Sequence, residues 1–197
     1  QRMLLCGDGT FASLLWTQVE EDPGFVERLY VASSTDGGGS WAEVTRPSAY
    51  LGNQGWYDNT ITTKPTDPNV VIAGGVYYIV STDGGTRWTE LNPYQGATQA
   101  PHVDAHDLQW QGDSLWVACD GGIWESTDDG STWADRNAGL VTRQYYALAV
   151  DPVNRRRVIA GAQDNGTDRR RDTDDGSWDA VEGGDGFECA INPLAPD

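Results

Sequence analysis

The apolar residues of this chain come in short runs, and no segment sustains a helical period. Val70-Val71-Ile72-Ala73 and Tyr77-Tyr78-Ile79-Val80 are two such runs. Asp58-Asn59-Thr60-Ile61-Thr62-Thr63 precedes them across a Pro-bearing turn at 64–69, and Trp88-Thr89-Glu90-Leu91 follows them. β-Branched and aromatic residues bounded by Gly, Pro, Asn and Asp mark strands joined by tight turns. This stretch therefore predicts four strands in succession. The same reading places strands at 107–110, 114–118 and 123–125, and again at 146–150 and 157–160 across the turn Asp151-Pro152-Val153-Asn154.

A polar motif, S-x-D-x-G-x-T-W, stands between the third and fourth strand of each set. Its copies begin at Ser34, Ser81, Ser126 and Asp172, the last one residue short. Their aspartates are Asp36, Asp83, Asp128 and Asp174, so the spacings are 83−36=47, 128−83=45 and 174−128=46. A fixed period of this length is the signature of a repeat architecture. The motif has a mechanical reading. Asp before Gly is hairpin chemistry because the turn needs positive φ. The carboxylate accepts bonds from turn amides, with the Ser or Thr hydroxyl adding another. The tryptophans Trp41, Trp88, Trp133 and Trp178 then cover the turns.

These four copies resemble the Asp-box, or BNR repeat, of sialidases, sortilin-like receptors and xyloglucan-degrading glycoside hydrolases, all of them β-propellers. The resemblance implies an all-β propeller of four-stranded antiparallel blades whose boxes are structural. The expected blades span about 1–52, 53–100, 101–141 and 142–182, and 183–197 is the first strand of a further blade. Four blades and one strand read as part of a larger ring. The remainder of the same protein, or another chain, then closes it. A closed four-bladed ring, with the last strand completing the first blade, is the alternative.

Composition fits and narrows this picture. The chain has 197 residues, with 24 Gly and nine Trp, which suits short strands and tight turns. A net charge of −17 argues against nucleic-acid phosphate as a partner and favours bound cations or a soluble secreted protein. No run of about 18 apolar residues exists, so no span is expected to cross a membrane. The chain starts at Gln1 with no visible signal peptide. With the resemblance to secreted proteins, the expected location is extracellular or periplasmic. Cys6, Cys119 and Cys189 form no C-x-x-C pair; Cys119 and Cys189 sit in apolar runs and read as small buried hydrophobes.

In propellers, function lies where the innermost strands begin. Three residues, His102, Asp104 and His106, are the sharpest constellation there. Spaced by two on an extended strand, they would face one side. Imidazole and carboxylate together suit a divalent transition metal, or an acid–base role for Asp104 or His106. Asp120, Asp164 and Asp185 fall on adjacent loops and are expected at the same rim. Asp185 joins Asp104 and His106 as a catalytic candidate, since a glycosidase needs two carboxylates flanking the scissile bond. Trp56, Tyr57, Gln144 and Tyr145 start strands and offer a surface for a sugar face. Each of these residues also has a plain structural reading, as turn-former, loop brace or core. A sialidase is not expected, because that family's three inner-strand arginines and F-R-I-P-type segment are missing. The arginines cluster instead at 155–157 and 169–171. The expected function is binding, with or without hydrolysis, of a polysaccharide or cell-surface glycan. The rival is a non-catalytic, protein-binding scaffold like the sortilin ectodomains.

Overall fold

The computed structural model describes residues 3–7, 12–20, 26–34, 36, 38–43, 50–52, 54–91, 100–141, 143–172, 176–192 and 194. In the first sheet, side chains are described at Ala32, Ser34 and Ala42. Asp174 and the Cys6 side chain lie outside these residues. The chain divides into two compact units, Gln1–Ala138 and Gly139–Asp197.

The described residues form four-stranded antiparallel sheets, each a simple meander in chain order. The first unit holds three: β1 (Met3–Gly7), β2 (Ala12–Glu20), β3 (Val26–Ser34) and β4 (Ala42–Glu43); β5 (Thr60–Lys64), β6 (Asp67–Gly74), β7 (Tyr78–Ser81) and β8 (Thr89–Leu91); β9 (Ala105–Gln111), β10 (Ser114–Cys119), β11 (Gly122–Ser126) and β12 (Ala134–Asp135). The second unit holds β13 (Tyr145–Val150), β14 (Val158–Ala162), β15 (Gly166–Arg170) and β16 (Trp178–Glu182). Within the first unit the leading strand β5 contacts both β1 and β9. Leading strands side by side, with each sheet's face on its neighbour's, make these sheets propeller blades. The chain is part of a β-propeller.

Packing explains the apolar runs. Along β6, Val71 and Ala73 point into one core with Tyr50, Leu51, Ile61 and Ile79. Ile72 points to the other face, into a core with Tyr78, Leu108, Leu115 and Val117. A strand buried on both faces reads as a continuous hydrophobic run rather than an alternation, as Val70–Ala73 does. Gly74 is needed where the sheets meet, since a Cβ there would lie 2.6 Å from that of Ala105. In the second unit Ala160 and Ala162 are buried, whereas Tyr146, Leu148 and Val150 on β13 are exposed. Cys119 is buried and free; Cys189 is half-buried and outside any strand.

Two expectations need correction. The turn expected over 64–69 is only Pro65-Thr66, since Lys64 already pairs with Asp67 and β6 begins there. Pro68 fits near the strand's start because a register shift at Thr63/Lys64 relaxes the ladder. The expected strand after residue 183 forms no ladder among its described residues; Gly186 N–H donates to the Ala162 carbonyl at 2.8 Å.

The first three motif turns share one bonding scheme. The Asp Oδ1 accepts from the backbone N–H four residues on, Ser40, Arg87 and Thr132, at 2.8 Å each. The motif Ser hydroxyl donates to that same Oδ1 and accepts from the Gly amide four residues on, also at 2.8 Å. The resulting side-chain bonds pull Asp36 down to about 2, the Ser40 hydroxyl acting most strongly, and Asp83 to about 2, with Arg87 first. These acids stabilise the fold above the ordinary carboxylate pKa and lose that contribution as pH falls through the folded value. Trp88 Nε1 donates to the Gly85 carbonyl at 2.9 Å. The fourth motif begins with Asp172, which accepts from Asn154 Nδ2 at 2.5 Å, and its Trp178 stacks on Tyr145.

Ser126→Ala should therefore lower unfolding free energy by about 1–3 kcal/mol in denaturant titration, because it leaves the buried Gly130 amide without its acceptor. Thr127→Ala, on the exposed position beside it, should change stability by less than about 0.5 kcal/mol.

Candidate functional site

The site in the first unit sits where β5 and β9 begin. Asp58 immediately precedes Asn59 and β5, and Asp104 immediately precedes β9. The two aspartates are one repeat apart, 104−58=46. The loop carrying His102 is fixed from three directions. Tyr78 Oη donates to the His102 carbonyl at 2.8 Å, Asp104 N–H donates to the Val76 carbonyl at 3.4 Å, and Ala105 N–H donates to the Gly75 carbonyl at 2.8 Å. The β10–β11 turn closes against it. A Cβ on Gly121 would lie 2.6 Å from the His102 Cβ, so only glycine admits the loop so close to Asp120.

His102, Asp104 and His106 do not share the one extended strand expected from their spacing. His102 and Asp104 are in the loop, only His106 is in β9, and Asp104 has φ +64. A left-handed residue breaks the alternation that would put all three on one side. The turn itself brings His102 and Asp104 together with Asp120: one donor atom from each lies within 4.8 Å of the others. His106 reaches Asp120 differently, Nε2 lying 2.6 Å from Oδ1.

Asp58 is the residue that sequence reasoning left out of the site. It is 0% exposed, and neither carboxylate oxygen has a hydrogen-bond donor. Burial, foremost, and the adjoining Asp104 carboxylate push its pKa well above the ordinary carboxylate value of 3.8. Burial likewise raises Asp104, which is 7% exposed and accepts from Gln54 Nε2 at 3.3 Å. Two carboxylates in contact are both acceptors, so a proton or a cation must lie between them. The signal was there in the sequence: Asp58 holds the same repeat position as Asp104, at the head of an inner strand.

An aromatic platform adjoins this cluster. Trp56 is 72% exposed and Tyr57 48% exposed, with ring centroids 5.6 Å apart. Tyr57 meets the His106 ring edge-on at 5.2 Å. The platform, His106 and Asp120 thus form one continuous contact chain.

The remaining expected residues belong to the second unit. Asp164 N–H donates to Asp185 Oδ1 at 3.0 Å, and Asp164 has φ +57. Tyr145 Oη donates to Asp168 Oδ2 at 2.6 Å, and Arg143 pairs with the same carboxylate. Gln144 is exposed.

No protein-family model matches the chain, and no curated protein matches it either. Solved structures do. The GH74 xyloglucanase from Xanthomonas campestris matches with a TM-score of 0.50 at 16% identity, covering 89% of this chain and 37% of its own. A GH74 enzyme from Niastella koreensis matches at 0.46 and 18%, covering 91% and 30%. YCF48 bound to D1 peptide matches at 0.48 and 13%, covering 90% and 67%. The likeness is one of fold. The xyloglucanase supports the propeller architecture. This chain spans about a third of the length of either GH74 enzyme. No helix among the described residues is long and apolar enough to cross a membrane.

A raised carboxylate pKa leaves stability intact below the ordinary carboxylate range and removes it as pH climbs toward the folded value. In chelator-treated protein, Asp58→Asn should therefore flatten the fall in thermal midpoint between mildly acidic and neutral pH. An unchanged pH profile would show that the pair does not titrate as described.

Proposed function

We propose that this chain is part of a secreted Asp-box propeller that binds a polysaccharide on the rim where β5 and β9 begin. The observation that carries this reading is the exposed Trp56–Tyr57 pair leading, through His106, to the half-buried Asp120. Pyranose rings present apolar C–H faces that stack on aromatic side chains, while sugar hydroxyls donate hydrogen bonds to carboxylates and exchange them with imidazole. Large aromatics left in water beside fixed polar groups are what such a ligand requires. The bonding of Ser34, Ser81 and Ser126 to their turns supports the Asp-box reading, with the boxes as staples.

Binding is favoured over cleavage. A glycosidase acid must reach the glycosidic oxygen, and Asp58 and Asp104, the carboxylates with raised proton affinity, are both buried. The xyloglucanase likeness makes xyloglucan the first probe.

Affinity electrophoresis and calorimetry with xyloglucan, mixed-linkage glucan and arabinan test this. One of them should bind, and Trp56→Ala or Tyr57→Ala should weaken it by about tenfold or more, the scale of one lost aromatic contact. No binding to any of the three, or affinity indifferent to both substitutions, overturns the reading. Release of reducing ends would show that cleavage accompanies binding.

A further inference from the structure

The acids beside the platform are arranged as a cation's ligands would be. His102, Asp104 and Asp120 present donor atoms within 4.8 Å of one another. Asp58 lies against Asp104 and within reach of the Asp120 charge, fully buried, with both oxygens lacking a donor. A first coordination sphere is about 4–5 Å across, so the donor separations are of the right size. Gln54 Nε2 donates to Asp104, and His106 Nε2 lies against Asp120. Two buried carboxylates beside a half-buried third are strongly unfavourable unless a cation or a proton offsets their charge, and a bound cation offsets all three at once.

We infer that His102, Asp104 and Asp120 hold one divalent cation of the zinc or manganese class, with the buried, donor-less Asp58 facing it from behind Asp104. The nitrogen donor separates this class from calcium and magnesium, which take oxygen ligands. His102 Nδ1 lies 3.3 Å from the Val103 carbonyl oxygen. Donation there leaves Nε2 unprotonated, with its lone pair available to a metal. His106 plays a supporting part, orienting Asp120 through its bond to Oδ1. All three ligands come from one strand repeat, and Asp58, from the repeat before it, would back Asp104 at the seam between the blades. This inference does not depend on sugar binding, because its readout is the metal alone.

The experiment is metal removal and return. Protein stripped with EDTA is titrated with Zn2+, Mn2+ and Ca2+ by calorimetry, and elemental analysis follows gel filtration. One equivalent of Zn2+ or Mn2+ should be retained, and the thermal midpoint should rise with it. His102→Ala and Asp104→Asn should each weaken uptake by at least about tenfold. Asp113→Asn, an exposed carboxylate on the β9–β10 turn, should leave it unchanged. Because Asp104→Asn is a buried change, the wild-type Co2+ adduct gives a second measure, and its visible absorption should be that of a four-coordinate ion with a nitrogen ligand. Failure of the stripped wild-type protein to take up Zn2+ or Mn2+, preference for Ca2+, or full affinity in His102→Ala would each overturn the inference.

Discussion

The hydrogen bond from Ala105 N–H to the Gly75 carbonyl, 2.8 Å long, ties one blade of the first unit to the next, and the site depends on that seam. Gly74 makes the approach feasible, because any side chain there would collide with Ala105. Tyr78 secures the same seam by bonding to the His102 carbonyl while its ring fills the core between the sheets. With the seam closed, Asp58 from one blade is pressed against Asp104 from the next. Widening it by the volume of one methyl group would separate the carboxylates and release the His102 loop.

Aspartates do opposite work in two places. In the motif turns they are ionised acceptors, held by a hydroxyl and an amide within a few residues, and their pKa values are pulled down. At the seam they are buried, short of donors and close to one another, and theirs are pushed up. The difference is local supply. A turn brings its own N–H groups to the carboxylate, whereas the ends of two inner strands bring only a second acid. The first arrangement repeats wherever the motif repeats and is a structural device. The second is costly, and it is confined to the seam between the two blades.

The aromatic platform and the acid cluster share His106. Its ring meets Tyr57 on one side and its Nε2 meets Asp120 on the other. A sugar on Trp56 and Tyr57 would therefore lie one residue away from the cluster, and charge on the cluster would reach it through that imidazole. The exposed aromatic pair and the buried charge thus lie on the same pair of blades, on loops that lead into inner strands.

Local order was largely legible in the sequence, since it rests on local chemistry. The motif spacing set the blade period, and Ser126, Asp128 and Gly130 form their turn from residues within a few positions of one another. The strand runs at 70–73 and 114–118 were readable because burial leaves a hydrophobic pattern. Residue type and repeat position mark out His102, Asp104 and Asp120 in the sequence. The reason they converge was not readable: it is a left-handed Asp104 and a glycine at 121, features of three-dimensional closure that alternation along a strand cannot express. Asp58 shows the same limit from the other side. In the sequence it is one more acid before a strand, and only the packing of one blade on the next removes it from water and sets it against Asp104.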